Sequence, residues 1–199
     1  ANLEIIVVDG GSEISLAPRL PEPVRLLAVS PASRGGQLAA GVNVARGEWL
    51  WMLHADNADV AEALQFLLRD RPACWGRFDV RLTTDNGGSQ RALQLVAVMM
   101  NWRSRITSIC TGDQGIFVHR SLLEEIGGMP DQPLMEDIEL SRRQKRLKPA
   151  TCPEVEISAS ARRWLNNGVV STILSMWLFR LRYYFGAAPE ALARRYYRG

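Results

Sequence analysis

The sequence is poor in the residues on which metal clusters and disulfide frameworks depend. It holds three cysteines and two histidines. Cys74, Cys110 and Cys152 lie too far apart for the paired spacing of a zinc site, and an odd number of cysteines does not indicate a disulfide framework. The cysteine pattern therefore favours a reducing compartment, and we expect a cytoplasmic protein.

The sequence also lacks an uninterrupted hydrophobic run long enough to span a membrane, and it lacks the glycine-rich motif of dinucleotide-binding folds. Residues 169–185 are largely apolar, but Arg180 and Arg182 interrupt them, which argues against a membrane span. A core or dimer-interface helix is our first interpretation, and an interfacial amphipathic helix is our second. No GxGxxG occurs, so a dinucleotide fold is weakly supported. The first residues enter a strand-like run directly, which predicts no secretory leader.

What is present suits one domain with a sizeable core. Hydrophobic residues make up 47% of the 199 residues, and this length favours a single domain. The formal net charge of +3 conceals a basic region at residues 162–198, where arginines face one acid, Glu190. An anionic lipid, a phosphorylated substrate or plain solvent would each suit this region. We predict no nucleic-acid partner.

A histidine and a carboxylate follow the apolar run of residues 49–53. The run is short and bounded by polar residues, so we expect a parallel strand buried on both faces. Ligands in open α/β sheets bind outside the carboxyl ends of the strands, where His54 and Asp56 fall. Asp56 is therefore a candidate binding residue, and the alternative is that it caps a helix beginning near Ala58.

Another acid ends an earlier strand-like run. Residues 3–8 are rich in β-branched side chains and lead into Asp9, Gly10 and Gly11. Asp9 would accept hydrogen bonds from a nucleotide ribose or base, and the glycines would let a ligand approach the backbone. The alternative is an ordinary turn, because Asp-Gly-Gly is strong turn chemistry.

Two further turns carry polar residues that suit a phosphorylated ligand. Arg34 lies at the start of a predicted Ala-rich helix, beside glycine amides that suit a diphosphate. Asp113 and Gln114 precede a predicted strand at 116–119, where local turn bonding explains an acid equally well. Binding and purely structural interpretations both remain open for these turns.

The C-terminal half adds two motifs. Glu136 and Asp137 open a predicted helix whose later residues are basic, an arrangement that the helix macrodipole favours on structural grounds alone. Arg163 and Trp164 place a guanidinium beside an indole, which suits a phosphate, a sugar or a surface cation–π pair. The Asp-Asn-Gly-Gly-Ser sequence at residues 85–89 predicts a flexible loop, which would be able to cover a substrate.

Taken together, four motifs resemble those of the family-2 glycosyltransferases with the GT-A fold, in this order along the chain: Val8-Asp9-Gly10-Gly11-Ser12, Leu53-His54-Ala55-Asp56, Gly112-Asp113-Gln114-Gly115 and Met135-Glu136-Asp137. The likeness is strongest to a bacterial subgroup labelled arsenosugar-biosynthesis or radical-SAM/selenodomain-associated transferases. His-Ala-Asp and Ala-Arg-Arg-Trp sequences also occur in that subgroup. The resemblance covers nearly the whole chain.

The resemblance implies an α/β fold of GT-A type, with a mostly parallel sheet flanked by helices. Residues 1–164 would form the glycosyltransferase domain, and residues 165–199 a helical C-terminal extension packed on it. The sequence begins at what resembles the family's second strand. We therefore expect the opening strand of the fold to be absent from this chain.

The resemblance also assigns catalytic and metal-binding roles. Asp137 would be the general base on the acceptor hydroxyl, with Glu136 beside it. Asp56 would be the last acid of the metal-binding DxD motif, with His54 in place of its first acid, and the metal would be Mg²⁺ or Mn²⁺. Ser160 stands where processive relatives have a glutamine, which argues against processivity.

The remaining candidates would bind the nucleotide sugar: Asp9, Gly10, Gly11, Arg34, Asp113, Gln114, Arg163 and Trp164. The implied reaction is inverting transfer of a hexosyl or related group from a nucleotide-diphosphate sugar to an unidentified hydroxyl acceptor, with a lipid-linked acceptor left open. The alternatives are a non-catalytic nucleotide-sugar-binding protein and a nucleotidyltransferase of related fold. Peripheral contact with the inner face of the membrane and a homodimer also remain open.

Overall fold

The computed structural model describes residues 3–84 and 90–198, with only the backbone of Arg198. Within these ranges the chain is mixed α/β, as predicted, with eight α-helices and eight short strands. The strands are β1 (Ile6–Asp9), β2 (Arg25–Ala28), β3 (Trp49–Trp51), β4 (Asn57–Ala58), β5 (Trp75–Gly76), β6 (Asp79–Thr83), β7 (Phe117–His119) and β8 (Glu156–Ser160). The helices are α1 (Arg34–Val44), α2 (Ala61–Leu68), α3 (Gln90–Thr107), α4 (Arg120–Glu125), α5 (Glu136–Gln144), α6 (Arg162–Asn166), α7 (Val169–Tyr184) and α8 (Pro189–Arg198). The predicted loop at 85–89 lies outside the described residues.

The strands form three small sheets, in the orders β1-β2, β3-β7-β5 and β4-β8-β6. Among the described strands, β1 pairs with β2 and β6 with β8 in parallel, whereas the other three pairs are antiparallel. The predicted predominance of parallel pairing is therefore not seen. An apolar run indicates a buried strand, but its direction relative to its neighbour is set by distant connections that the run does not encode.

Strand β3 shows this limit directly. It pairs antiparallel with β7, with Leu50 opposite Val118, so the prediction of a parallel strand there was wrong. Leu50 and Met52 are buried, whereas Trp49 and Trp51 are half-buried, so the strand is not covered completely on both faces. A run of five apolar residues cannot reveal that two of its indoles lie along a cleft.

Helices α1 and α2 begin next to the polar turns of the sequence. Ser33 caps α1, since its Oγ accepts the Gly36 N–H at 3.2 Å. The predicted helix after Asp56 is confirmed, but it begins at Ala61 with Val60 at the cap position and no side-chain cap. Asp56 is therefore not the cap of α2.

An apolar cluster fixes the elements that carry the polar turns relative to one another. Leu50 and Met52 of the β3 segment pack with Cys110, Val118 and Leu140. These last three residues belong to the turn before β7, to β7 and to α5. The end of β3, the turn at residues 111–115 and the start of α5 are consequently held around one point.

The last two helices pack on the same body. Ile173 and Met176 of α7 pack against the cluster that contains Trp164, and Leu192 and Ala193 of α8 pack against Leu134 just before α5. Among the described residues, no helix combines the length and apolarity that crossing a bilayer requires.

Replacing Gly35 with Ala is expected to cost about 3 kcal/mol in the free energy of unfolding, because a Cβ there would clash with backbone. It would lie 1.9 Å from the carbonyl oxygen of Gln132 and 3.2 Å from Cβ of Glu136. Gly41→Ala in the same helix is the control, since its Cβ would meet only a Val8 methyl at 3.2 Å. Urea unfolding of both variants measures the difference, and equal stabilities would contradict this packing.

Candidate functional site

Arg34 lies at the centre of a polar cluster formed by three separate parts of the chain. Its Nη2 is 2.9 Å from each ring nitrogen of His54 and 3.8 Å from Oδ1 of Asp113. Nδ1 of His54 lies 3.2 Å from the same carboxylate oxygen. The start of α1, the end of the β3 segment and the turn before β7 therefore meet here.

Neighbouring groups shift the pKa values of two members of this cluster, Asp113 and Arg34, so that both favour their ionised forms. Burial alone would raise the pKa of Asp113, but the hydrogen bond with His54 and the charges of His54, Arg34 and Arg163 bring that pKa below its ordinary value. Burial would likewise lower the pKa of Arg34, but the charges of Asp113 and Asp137 raise it. Arg34 is therefore a fixed cation that a bound anion would meet already in place.

The acidic pair at the start of α5 completes the cluster. Helix α5 follows Met135, whose φ of 64° is left-handed, a strained conformation that recurs at functional sites. Oδ2 of Asp137 accepts the Gly112 N–H at 3.0 Å, and Oδ1 accepts the Ile138 N–H at 2.7 Å. Both oxygens keep a second lone pair, so Asp137 can still accept a proton from a ligand.

Glu136 has a different environment from its neighbour. Its side chain is almost completely buried, and Oε1 lies 3.9 Å from Nε of Arg34. Burial, and then the charge of Asp137, raise the pKa of Glu136 to about 8 against the opposing effect of Arg34. Glu136 therefore stays largely protonated at neutral pH beside Arg34, whereas Asp137 is the acid placed to accept a proton from a ligand.

Glu136 is expected to make the protein less stable as the pH rises. A carboxyl with an ordinary pKa of 4.5 and a folded value of about 8 contributes stability that is complete below pH 4.5 and lost as the pH rises through 8. Glu136→Gln should flatten this decline, which amounts to about 3–5 kcal/mol in the free energy of unfolding.

Urea unfolding of wild type and Glu136→Gln across this pH range measures the effect. Glu139→Gln in the same helix is the control, because hydrogen bonds and charges from Arg143, Tyr183 and Arg142 outweigh burial and lower the pKa of Glu139. Parallel stability curves for wild type and Glu136→Gln would show that Glu136 is not held protonated.

Two adjoining cavities open on the cluster. The larger has a volume of about 580 Å³ and lies between β1, α1 and β3, within the range of small-molecule sites. The smaller, of about 80 Å³, contains Asp137, Glu136 and Arg180. Both are lined by Arg34, Asp113, Arg163, Trp164 and Tyr196.

The predicted Arg163–Trp164 pair lies where the two cavities meet. Trp164 is buried in the apolar cluster under α3, so it is a core residue with one edge on the site. Arg163 donates a hydrogen bond to the Tyr196 hydroxyl, and its guanidinium carbon lies 4.5 Å from the centre of that ring. The cation–π contact is thus made with Tyr196 of α8.

The two predicted metal ligands differ in availability. Asp56 is exposed at the rim of the larger cavity and has no hydrogen bond or ion pair within the described residues. Nη2 of Arg34 lies 2.9 Å from both ring nitrogens of His54, so a metal ion bound to His54 would lie against a guanidinium. Nowhere in residues 3–84 and 90–198 do three His, Cys, Asp or Glu side chains group to hold a metal. These side chains therefore suit a cation that is held by the Asp56 carboxylate and by oxygens of a bound ligand, and not one held by His54.

Four other residues that were predicted to bind the nucleotide sugar line neither cavity: Asp9, Gly10, Gly11 and Gln114. Oδ1 of Asp9 accepts hydrogen bonds from the N–H groups of Gly11 and Ser12 and from the Ser12 hydroxyl, which is the predicted alternative of an ordinary turn. Gly10 faces Gln37 of α1. Gln114 is fully buried and donates to Asn101 and Ser104, so it anchors the turn that presents Asp113.

Sequence reasoning missed two residues that line the site. Arg180 of α7 enters the smaller cavity, where burial lowers its pKa and the charges of Asp137 and Asp113 oppose that effect. Tyr196 of α8 lines both cavities. The only signal for Arg180 was an arginine inside an otherwise apolar helix, and nothing marked Tyr196, because its placement depends on how α8 packs.

Neither a scan against models of protein families nor a search of curated proteins gives a match for this chain.

Proposed function

We propose that the protein is an inverting glycosyltransferase that uses a nucleotide-diphosphate sugar. The observation that carries this proposal is the adjacency of an arginine-lined cavity to a smaller one containing Asp137. Transfer between two bound molecules needs such a pair of neighbouring sites, one for an anionic donor and one for an acceptor beside a base. The order of the four motifs along the chain supports the same reaction.

The larger cavity is the proposed donor site. Arg34 and Arg163 offer guanidinium groups on the wall that it shares with the smaller cavity, and such groups bind diphosphate oxygens through paired hydrogen bonds. The half-buried Trp51 on the same cavity wall offers a flat face for a nucleobase or sugar. The diphosphate would lie toward the cluster and the nucleoside toward β3.

The smaller cavity is the proposed acceptor site. The acceptor hydroxyl would donate a hydrogen bond to Asp137 and lose its proton to that carboxylate as its oxygen attacks the anomeric carbon. The bond from the anomeric carbon to the diphosphate breaks on the opposite face, and its electron pair leaves with the diphosphate. Arg34 and Arg163 would neutralise the negative charge that develops there.

Asp56 would hold a Mg²⁺ or Mn²⁺ ion together with oxygens of the donor diphosphate. Such an ion, when bound, supplies further charge neutralisation to the leaving group. Hard cations of this kind prefer oxygen ligands and complete their shells with water. Asp56→Ala should therefore weaken donor binding in the presence of Mn²⁺ and leave metal-free binding nearly unchanged.

Product analysis by NMR tests the proposal. The protein would be incubated with UDP-, GDP-, ADP- and dTDP-sugars and a panel of simple alcohols and glycosides, with water itself as the slowest acceptor. Release of a nucleoside diphosphate with inversion at the anomeric carbon is the expected result. Release of inorganic diphosphate from a nucleoside triphosphate, with no sugar transfer, would instead identify a nucleotidyltransferase.

A non-catalytic nucleotide-sugar-binding protein is the second candidate. It is favoured by His54, whose ring lies against the Arg34 guanidinium where a DxD motif would have an available acid. Saturable binding of a nucleotide sugar without hydrolysis or transfer on any acceptor would support this candidate over the enzyme.

A further inference from the structure

Two helices turn apolar stripes outward. On α3 the exposed apolar side chains recur every three or four residues and are 52–66% exposed: Leu95, Val98, Met99, Trp102 and Ile106. On α7 and just beyond it they are 45–80% exposed: Val170, Leu174, Trp177, Leu178, Leu181, Tyr184 and Phe185. This spacing places each set on one side of its helix.

The opposite sides of the two helices are already packed. Val96 and Met100 of α3 belong to one buried cluster, against which Ile173 and Met176 of α7 also pack. The core therefore does not use the outward stripes, and their large apolar side chains are exposed to solvent on two neighbouring helices. Patches of this extent on a monomer mark an interaction surface.

The positive charge on these helices favours an anionic lipid surface over a second copy of this chain as the partner. Neither α3 nor α7 contains an acidic residue, and both contain arginines. Arg91 lies on the exposed side of α3, four residues before Leu95, and Arg182 lies beside the stripe of α7. Two copies of this face would bring arginines against arginines with no acid to pair them, whereas an anionic lipid surface supplies the missing charge.

We propose that the faces of α3 and α7 bind the surface of an anionic membrane, with Trp102 and Trp177 inserted at the level of the lipid headgroups. Indole rings concentrate at that level because their bodies are apolar and their N–H groups are polar. Helices with an apolar stripe and arginines beside it lie in the interface without crossing it. This binding needs no nucleotide sugar, so its test is separate from that of the proposed function.

Co-sedimentation of the purified full chain with vesicles tests the proposal. We expect binding to vesicles of equal parts phosphatidylglycerol and phosphatidylcholine, little binding to phosphatidylcholine alone, and release as salt is added. The double substitution Trp102→Ser with Trp177→Ser should lower the partition coefficient roughly tenfold or more. Arg91→Gln and Arg182→Gln should each lower it about fivefold.

Leu68→Ser is the matched control, because Leu68 is 51% exposed but lies on α2; it should bind as wild type does. Circular dichroism would confirm that each variant is folded. No binding to the anionic vesicles at low salt would overturn the proposal. It would also be overturned by a dimer in solution that the double tryptophan substitution dissociates, because the face would then be a self-interface.

Discussion

Asp137→Asn is expected to lower the rate of sugar transfer roughly 10²–10⁴-fold and to leave donor affinity nearly unchanged. The substitution keeps the shape of the side chain and an oxygen that can accept one of the two backbone hydrogen bonds from Gly112 and Ile138. It removes the ability to take a proton from the acceptor. Turnover under saturating donor and calorimetric donor affinity separate the two effects.

Glu139→Gln is the control for this prediction. Glu139 is also an acid of the first turn of α5, but it bonds Arg143 and Tyr183 away from both cavities. Its replacement should leave the transfer rate within a small factor of wild type. Wild-type turnover in Asp137→Asn would remove Asp137 from the role of base, and an equal loss in both variants would indicate a general effect on α5.

Arg34→Ala should lower kcat/KM for the donor roughly 10²–10³-fold, because the developing charge on the diphosphate would lose its central cation. The effect should appear in donor affinity as well as in turnover. Arg34 also sits between Asp113 and Glu136, so some loss of stability is expected. Arg34→Lys keeps the charge but not the paired donors, and it should recover part of the affinity.

Arg25→Ala controls for the loss of one positive charge. Arg25 is exposed on β2, and its guanidinium bonds only the carbonyl of Val44 at 3.4 Å among the described contacts. Its donor kinetics should match those of wild type at every ionic strength. If Arg34→Ala binds and turns over the donor as wild type does, the arginine-lined cavity is not the diphosphate site.

The sequence was informative where a local pattern determines local structure. The Ala-rich segment that follows Arg34 predicted α1, and a helix was also predicted shortly after Asp56, where α2 lies. Acids in the first turn of a helix predicted the start of α5 at Glu136, where the macrodipole favours them. The apolar runs at residues 3–8 and 49–53 predicted strands, which the structure has as β1 and β3, and with these helices they indicated a mixed α/β chain.

The features that the sequence did not predict depend on packing between residues far apart along the chain. The direction of β3 depends on its pairing with β7, which lies far along the chain. Gln114 was expected in the donor site, but its amide meets Asn101 and Ser104 of α3 inside the core. The proximity of Arg34, His54 and Asp113 could be inferred only by assuming a fold, since no local pattern places them together.

Calorimetric titration of the purified protein with UDP-, GDP-, ADP- and dTDP-sugars, with and without Mn²⁺, measures whether the larger cavity binds a nucleotide sugar. We expect saturable binding of one donor class, strengthened by the metal, weakened in Arg34→Ala, and unaffected in Arg25→Ala. Absence of binding for every donor, or binding that Arg34→Ala leaves unchanged, would contradict a nucleotide-sugar site in this cavity.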